Sequence, residues 1–238
     1  MPAPSARPLV VAIDGPSGSG KSTVSRRVAS ALGLRYLDTG AMYRAVCWWC
    51  LEQGVDLADT GAVAAAARAL DLRMGTDPDS PTVAVSGVEV AAELRTGTVS
   101  AAVSAVATNL GVRAELQVRQ RAEIATAAEH GGIVVEGRDI TTVVAPDAPV
   151  RVLLTADESA RLTRRAAETH GGLDHAAMAA TRDQVLRRDA DDSTVSQFHT
   201  AADGVTTVDS STLTLDQTVK AVLALVEVHL TTTEEAGR

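Results

Sequence analysis

Eight residues constrain this chain more than any others. Gly15-Pro16-Ser17-Gly18-Ser19-Gly20-Lys21-Ser22 follow the apolar run Leu9-Val10-Val11-Ala12-Ile13 and lead into a helical pattern. They fit G-x-x-x-x-G-K-[ST] in the order its mechanics require: a buried strand, a glycine-rich turn, then a helix N-terminus. The glycines let the backbone curl until several N–H groups face one anion, and the positive end of the helix dipole adds to the attraction. The segment from Gly15 to Thr23 is therefore expected to cradle ATP. Lys21 would reach the β and γ phosphates, and the Ser22 hydroxyl would ligate Mg²⁺.

Length and composition bound what surrounds this loop. At 238 residues the chain fits one α/β domain with small insertions, or at most two compact units. Hydrophobic residues make up 45% and aromatics only 2%, so the strands should be aliphatic runs, as in a parallel sheet covered on both faces. A net charge of -8 excludes a nonspecific nucleic-acid coat, which needs clustered positive charge. The first eight residues hold no long apolar run, and no stretch approaches the ~20 apolar residues of a membrane span, so a cytoplasmic protein is expected. Cys47 and Cys50 form a C-x-x-C within a helical segment that lacks a second ligand pair, which reads as a packed apolar face.

The pattern along the chain predicts strands at residues 10–13, 35–38, 132–136, 150–154 and 204–208, separated by helices, hence parallel pairing through right-handed crossovers. Helices are expected over 21–32, 41–53, 62–70, 99–110, 112–128, 157–169, 176–192 and 215–230. Residues 70–90 break this rhythm. Leu72-Arg73-Met74, Val83-Ala84-Val85 and Val88-Glu89-Val90, joined by short turns, read as an antiparallel meander inserted beside the main sheet. Gly171-Gly172 breaks the pattern again, and residues 231–238 read as a frayed tail.

The basic residues narrow the chemistry. Lys and Arg total 22, and only Lys21 and Lys220 are lysines, so arginine carries nearly all the positive charge. No N-K-x-D element for guanine is present, which excludes a guanine-specific switch. Transfer of a phosphoryl group between two anions needs guanidinium groups that stay charged and grip phosphate oxygens bidentately. Arg44 and Arg138 each follow the carboxyl end of an expected strand, the edge where open α/β sheets place ligands.

Further segments carry a resemblance. Asp38-Thr39-Gly40-Ala41-Met42-Tyr43-Arg44, Glu93-Leu94-Arg95-Thr96, Glu136-Gly137-Arg138-Asp139, Pro146-Asp147-Ala148-Pro149 and Arg188-Asp189-Ala190-Asp191-Asp192-Ser193-Thr194 resemble the bacterial cytidylate kinases, in order and over nearly the whole chain. The resemblance implies a P-loop NTPase-type three-layer α/β fold with a parallel central sheet, an inserted monophosphate-binding region and a helical lid. On this basis residues 1–8 would be flexible and 9–230 one domain. Its core would be 9–38, 131–168 and 203–230, its acceptor region about 39–115 with an insert at 70–92, and its lid about 169–200.

The same resemblance implies that Thr39, Tyr43, Arg44 and Arg138 hold the acceptor monophosphate. Ser104, Arg113 and Asp139 would read the cytosine ring, while Arg188 and Asp192 contact sugar and phosphate. Lys21, Arg44, Arg138 and Arg188 would carry the transfer itself, with CMP or dCMP as acceptor and the protein a monomer. The chain departs from the family after Ser193-Thr194, where Val195-Ser196-Gln197-Phe198 replaces an expected arginine, and Asp191 stands where a basic residue is common. Arg182, Arg187, Arg188 or the group Arg161, Arg164 and Arg165 would then have to compensate. Two alternatives remain at this level: a kinase for another small monophosphate acceptor, and a nucleotide-binding regulatory protein that has lost turnover.

Overall fold

The aliphatic runs form a five-stranded sheet in a computed structural model that describes residues 8–170 and 175–236. The N-terminal seven residues, the Gly171-Gly172 break and the last two residues lie outside the described residues. The strands are β1 (Leu9–Asp14), β2 (Arg35–Asp38), β6 (Gly132–Gly137), β7 (Val150–Thr155) and β8 (Thr206–Asp209), in the order β2-β6-β1-β7-β8, all parallel. Every residue of β6 is buried, as a strand covered on both faces must be.

Although the central strands are mainly aliphatic runs, their alternate residues serve two different cores. Val11, Ile13, Val134, Val152 and Leu154 pack on α1 (Lys21–Leu32) and α8 (Leu215–Ala236), through Val24, Val28, Val222 and Val226. Ala12, Ile133 and Val135 face the opposite side, in a cluster with residues of α2 (Thr39–Glu52), α4 (Gly97–Ala107) and α5 (Leu110–Ala128), among them Met42, Val103 and Leu116. Cys47 and Cys50 are fully buried in that second core. The caps fit the side chains: Asp38 accepts from the Ala41 N–H at 2.9 Å to start α2, and Asn109 accepts from Gly111 and Val112 to start α5.

The meander forms as expected. β3 (Leu72–Met74), β4 (Val83–Val85) and β5 (Val88–Glu89) make a separate antiparallel sheet. Its long turn straps the outer strand of the main sheet: the Tyr36 N–H donates to the Thr76 carbonyl at 2.9 Å. Arg26 of α1 donates to the Pro78 carbonyl at 2.8 Å, and Ser30 to the Asp79 carboxylate at 2.6 Å.

α3 (Thr60–Ala69), α6 (Glu158–His170) and α7 (His175–Ser193) complete the described α-helices. One expectation is corrected. The tail from residue 231 is not frayed at its start, because α8 continues to Ala236. The hydroxyls of Thr231, Thr232 and Thr233 donate to the carbonyls of Glu227, Val228 and His229, four residues back, so these threonines are accommodated within the helix.

Candidate active site

The loop between β1 and α1 takes its shape from glycines that cannot be replaced without collision. A Cβ on Gly15, where φ is +152°, would lie 2.1 Å from the Leu154 carbonyl oxygen. One on Gly18, at φ +77°, would lie 2.6 Å from that of Arg161. Gly20, at φ +91°, turns the chain into α1, so the first N–H groups of that helix face the loop. The Lys21 ammonium donates to the Pro16 carbonyl at 2.9 Å across the loop, and burial, with Arg138 adding, lowers its pKa to about 8.

The residue before the loop organises the far side of the site. Asp14 is buried, and its two carboxylate oxygens accept from the Ile140 N–H at 2.9 Å, the Thr141 N–H at 2.8 Å and the Thr141 hydroxyl at 2.7 Å. Burial outweighs these bonds and raises its pKa. Asp14 thus fixes the turn after β6, the turn that presents Arg138 and Asp139. The sequence carried a signal for it: a carboxylate closing an apolar strand directly ahead of the loop.

Glu136 was also missed. Fully enclosed at the end of β6, it accepts from the Tyr36 hydroxyl at 2.6 Å. Burial, with Asp38 adding, raises its pKa to about 7, opposed by Lys21 and the Ser22 hydroxyl. An exposed Ser22 hydroxyl beside an acidic oxygen pair is the hard, oxygen-only donor set that suits Mg²⁺ held mainly by phosphates and water. No group of three or more His, Cys, Asp or Glu side chains that could hold a metal by themselves exists among the described residues.

A cleft of about 380 Å³, counting its open mouth, lies beyond this loop. Thr39, Tyr43, Arg113, Arg138, Asp139 and Arg188 form its wall together with Asp192. Thr39 is held by donation to the Glu136 carbonyl at 2.7 Å. At the base of the cleft Arg113 donates to Asp139 at 2.7 Å and to the Ser196 hydroxyl at 2.8 Å, while Gln117 donates to the same Asp139 oxygen at 3.2 Å. Gln117 and Ser196 had no signal in the sequence. Ser104 lies on α4 three residues before Ala107, which lines the cleft, and its carbonyl accepts from Thr108.

The arginines converge as a group. Arg138 pairs with Asp189 at 2.9 Å and Asp192 at 2.7 Å, and lies 4.3 Å over the Phe198 ring. Asp189 is a node: it also accepts from Arg161 and from the Ser17 N–H at 3.1 Å, so a carboxylate sits against a phosphate-loop amide. Burial disfavours its charge, but Arg138, the Ser17 N–H and Arg161 outweigh that and lower its pKa. Arg44 donates to the Leu94 carbonyl at 3.1 Å and to Ser100 at 3.0 Å. Burial lowers the pKa of Arg188 to about 9, with Arg44 and Arg138 adding. Of the arginines considered as substitutes for the absent one, Arg161 and Arg164 contact the loop through the Ser17 and Ser19 carbonyls. Arg165 and Arg188 line a small cavity with Ser17 and Ser100. Arg187 is exposed and Arg182 pairs at the surface with Glu158, so neither joins the group.

Comparison with known proteins places the chain in a family. A family model described as cytidylate kinase matches residues 11–228. The chain belongs to the cytidylate kinase family. A cytidylate kinase of Cutibacterium acnes is 51% identical over 227 residues, covering 95% of this chain and 99% of that protein. One from Streptomyces avermitilis is 49% identical over 220 residues, covering 92% and 93%. Among solved structures, an uncharacterized protein from Eubacterium ventriosum shares the fold alone, at a TM-score of 0.51 and 12% identity over 92% of this chain and 98% of that one. No helix among the described residues is long and apolar enough to cross a membrane.

Proposed function

We propose that this chain transfers the γ-phosphoryl group of ATP to CMP or dCMP, giving ADP and CDP or dCDP, as a cytoplasmic monomer. The observation that carries the reading is the cleft with the Arg113–Asp139 pair at its base, opening beside the phosphate loop with Arg138 between them. Both donors to Asp139 land on Oδ2, leaving Oδ1 to accept from the exocyclic amine of cytosine, while Arg113 donates to ring acceptors. Ser104 would add its hydroxyl to that set.

Thr39, Tyr43, Arg44 and Arg138 hold the acceptor phosphate, and Arg188 and Asp192 its sugar side. Lys21 and the loop amides from Gly15 to Thr23 hold the triphosphate. An oxygen of the acceptor phosphate attacks the γ phosphorus as the bond to the β–γ bridging oxygen breaks, and ADP leaves. That oxygen is already ionised, so no general base is needed. Ser22, with Glu136 behind it, would hold the Mg²⁺ that accompanies ATP, which would supply charge neutralisation. Because Asp189 occupies the Ser17 amide, a triphosphate is admitted when Asp189 yields, which supports a movable lid at about 169–200.

A coupled assay across nucleoside monophosphates tests the reading. CMP and dCMP should be turned over best, and equal turnover of AMP or UMP would overturn the substrate assignment. Binding of ATP and CMP without formation of CDP would instead favour the regulatory alternative. Asp139→Ala should erase the preference for CMP over UMP, a loss of about 100-fold in relative kcat/KM, with ATP affinity unchanged. A retained preference would remove Asp139 from base reading.

A further inference from the structure

Among the described residues, three polar atoms behind the cleft are buried without a hydrogen-bond partner. They are the Gln120 side-chain oxygen and nitrogen and the Tyr43 hydroxyl. Gln120 is 1% exposed and lies on α5 at the i+7 position from Arg113 and i+3 from Gln117, on the helix face that serves Asp139. The Gln120 amide is near enough to the Tyr43 hydroxyl to oppose, as a weak hydrogen-bonding partner, the burial that raises its pKa, yet the two fall short of the geometry of a formed hydrogen bond. Tyr43 spans the gap: it lines the cleft, with the Arg113 guanidinium 5.9 Å from its ring centroid, and turns its hydroxyl away from water.

Each buried group left unmet costs about 1–3 kcal/mol, and a methionine would fill the same linear volume without that cost. An amide at such a position is explained if it gains its partner when the cleft fills. We propose that Gln120 is a positioning residue for the acceptor nucleotide: filling of the cleft closes a Gln120–Tyr43 hydrogen bond, which fixes the Tyr43 ring against the ligand. This rests on reading the cleft as the CMP site. The bond adds to binding of acceptor before and during transfer alike, so it changes KM and leaves kcat.

The test combines kinetics, melting and NMR. Gln120→Met should melt about 3 °C higher without ligand, since an unmet polar group is removed. It should raise KM for CMP about 10-fold, with kcat within about twofold and KM for ATP unchanged. Tyr43→Phe should raise KM by itself, and Gln120→Met should then add little. KM effects that multiply independently in the double variant, a fall in kcat at constant KM, or a lower melting temperature with KM unchanged would each overturn the proposal. The chain has only two tyrosines, Tyr36 and Tyr43, so ring carbons labelled at the phenol position resolve both. Addition of CMP to the unsubstituted protein should shift the Tyr43 signal and leave Tyr36 in place; no shift would overturn the proposal even if the variants fail to fold. Failure of the unsubstituted protein to phosphorylate CMP would overturn the reading of the cleft instead.

Discussion

Replacing Lys21 by alanine is expected to lower kcat about 10³-fold while leaving the melting temperature unchanged or raised. Lys21 is the sole lysine of the loop, so no neighbouring ammonium substitutes for it. Burial holds its pKa at about 8, below the usual lysine value. A folded pKa below the unfolded one means that the fold works against the charged amine at neutral pH, a cost that shrinks as pH rises from the folded value of about 8 and is gone above the unfolded value. Alanine relieves that cost, so loss of activity should come without loss of fold. The ammonium at present rests on the Pro16 carbonyl, a neutral acceptor that a phosphate oxygen outcompetes. Steady-state kinetics beside thermal melting check both halves, and a variant that keeps more than about a tenth of kcat would remove Lys21 from the transfer step.

The second large effect is on stability. Asp14→Ala should lose about 3 kcal/mol and about 10 °C in melting temperature, because it strands two backbone N–H groups and the Thr141 hydroxyl in the interior. Asp14→Asn should do nearly as badly. One carboxylate oxygen faces the Ile140 N–H and the other faces Thr141, so in either orientation the amide points an NH₂ at a donor. Urea titration with intact wild-type m-value would measure the loss, and an asparagine variant as stable as the parent would show that the turn after β6 is fixed by something else. CMP affinity should fall with it, since this turn carries Arg138 and Asp139.

What could be read from the residues, and what could not, divides by sequence distance. The loop was legible because glycines at Gly15 and Gly18 answer to contacts that any side chain would break, and because strand, turn and helix are adjacent. The two-faced sheet was legible from aliphatic runs, and the meander from alternation between turns. The partners of Asp14, Glu136 and Asp189 were not, since each lies far along the chain: Thr141 is 127 residues from Asp14, Tyr36 is 100 from Glu136, and Ser17 is 172 from Asp189. Gln120 looked like one more helix-forming residue, and only its enclosure without partners sets it apart. The end of α8 was misjudged because threonine runs are poor helix formers in isolation, a preference that hydroxyl bonds to the preceding turn offset here.

The strap laid by the insert over β2 has a consequence for how copies of this chain treat one another. An open parallel sheet ends in strands whose outward N–H and C=O groups can template a neighbour's strand. On one side the Thr76 carbonyl takes the Tyr36 N–H, and Arg26 and Ser30 pin the turn down, so the rim at β2 is roofed. On the other side β8 is only four residues, Thr206-Thr207-Val208-Asp209, mostly exposed and ending in a carboxylate. One rim is covered and the other is kept short and charged, two separate defences against growth of the sheet from molecule to molecule.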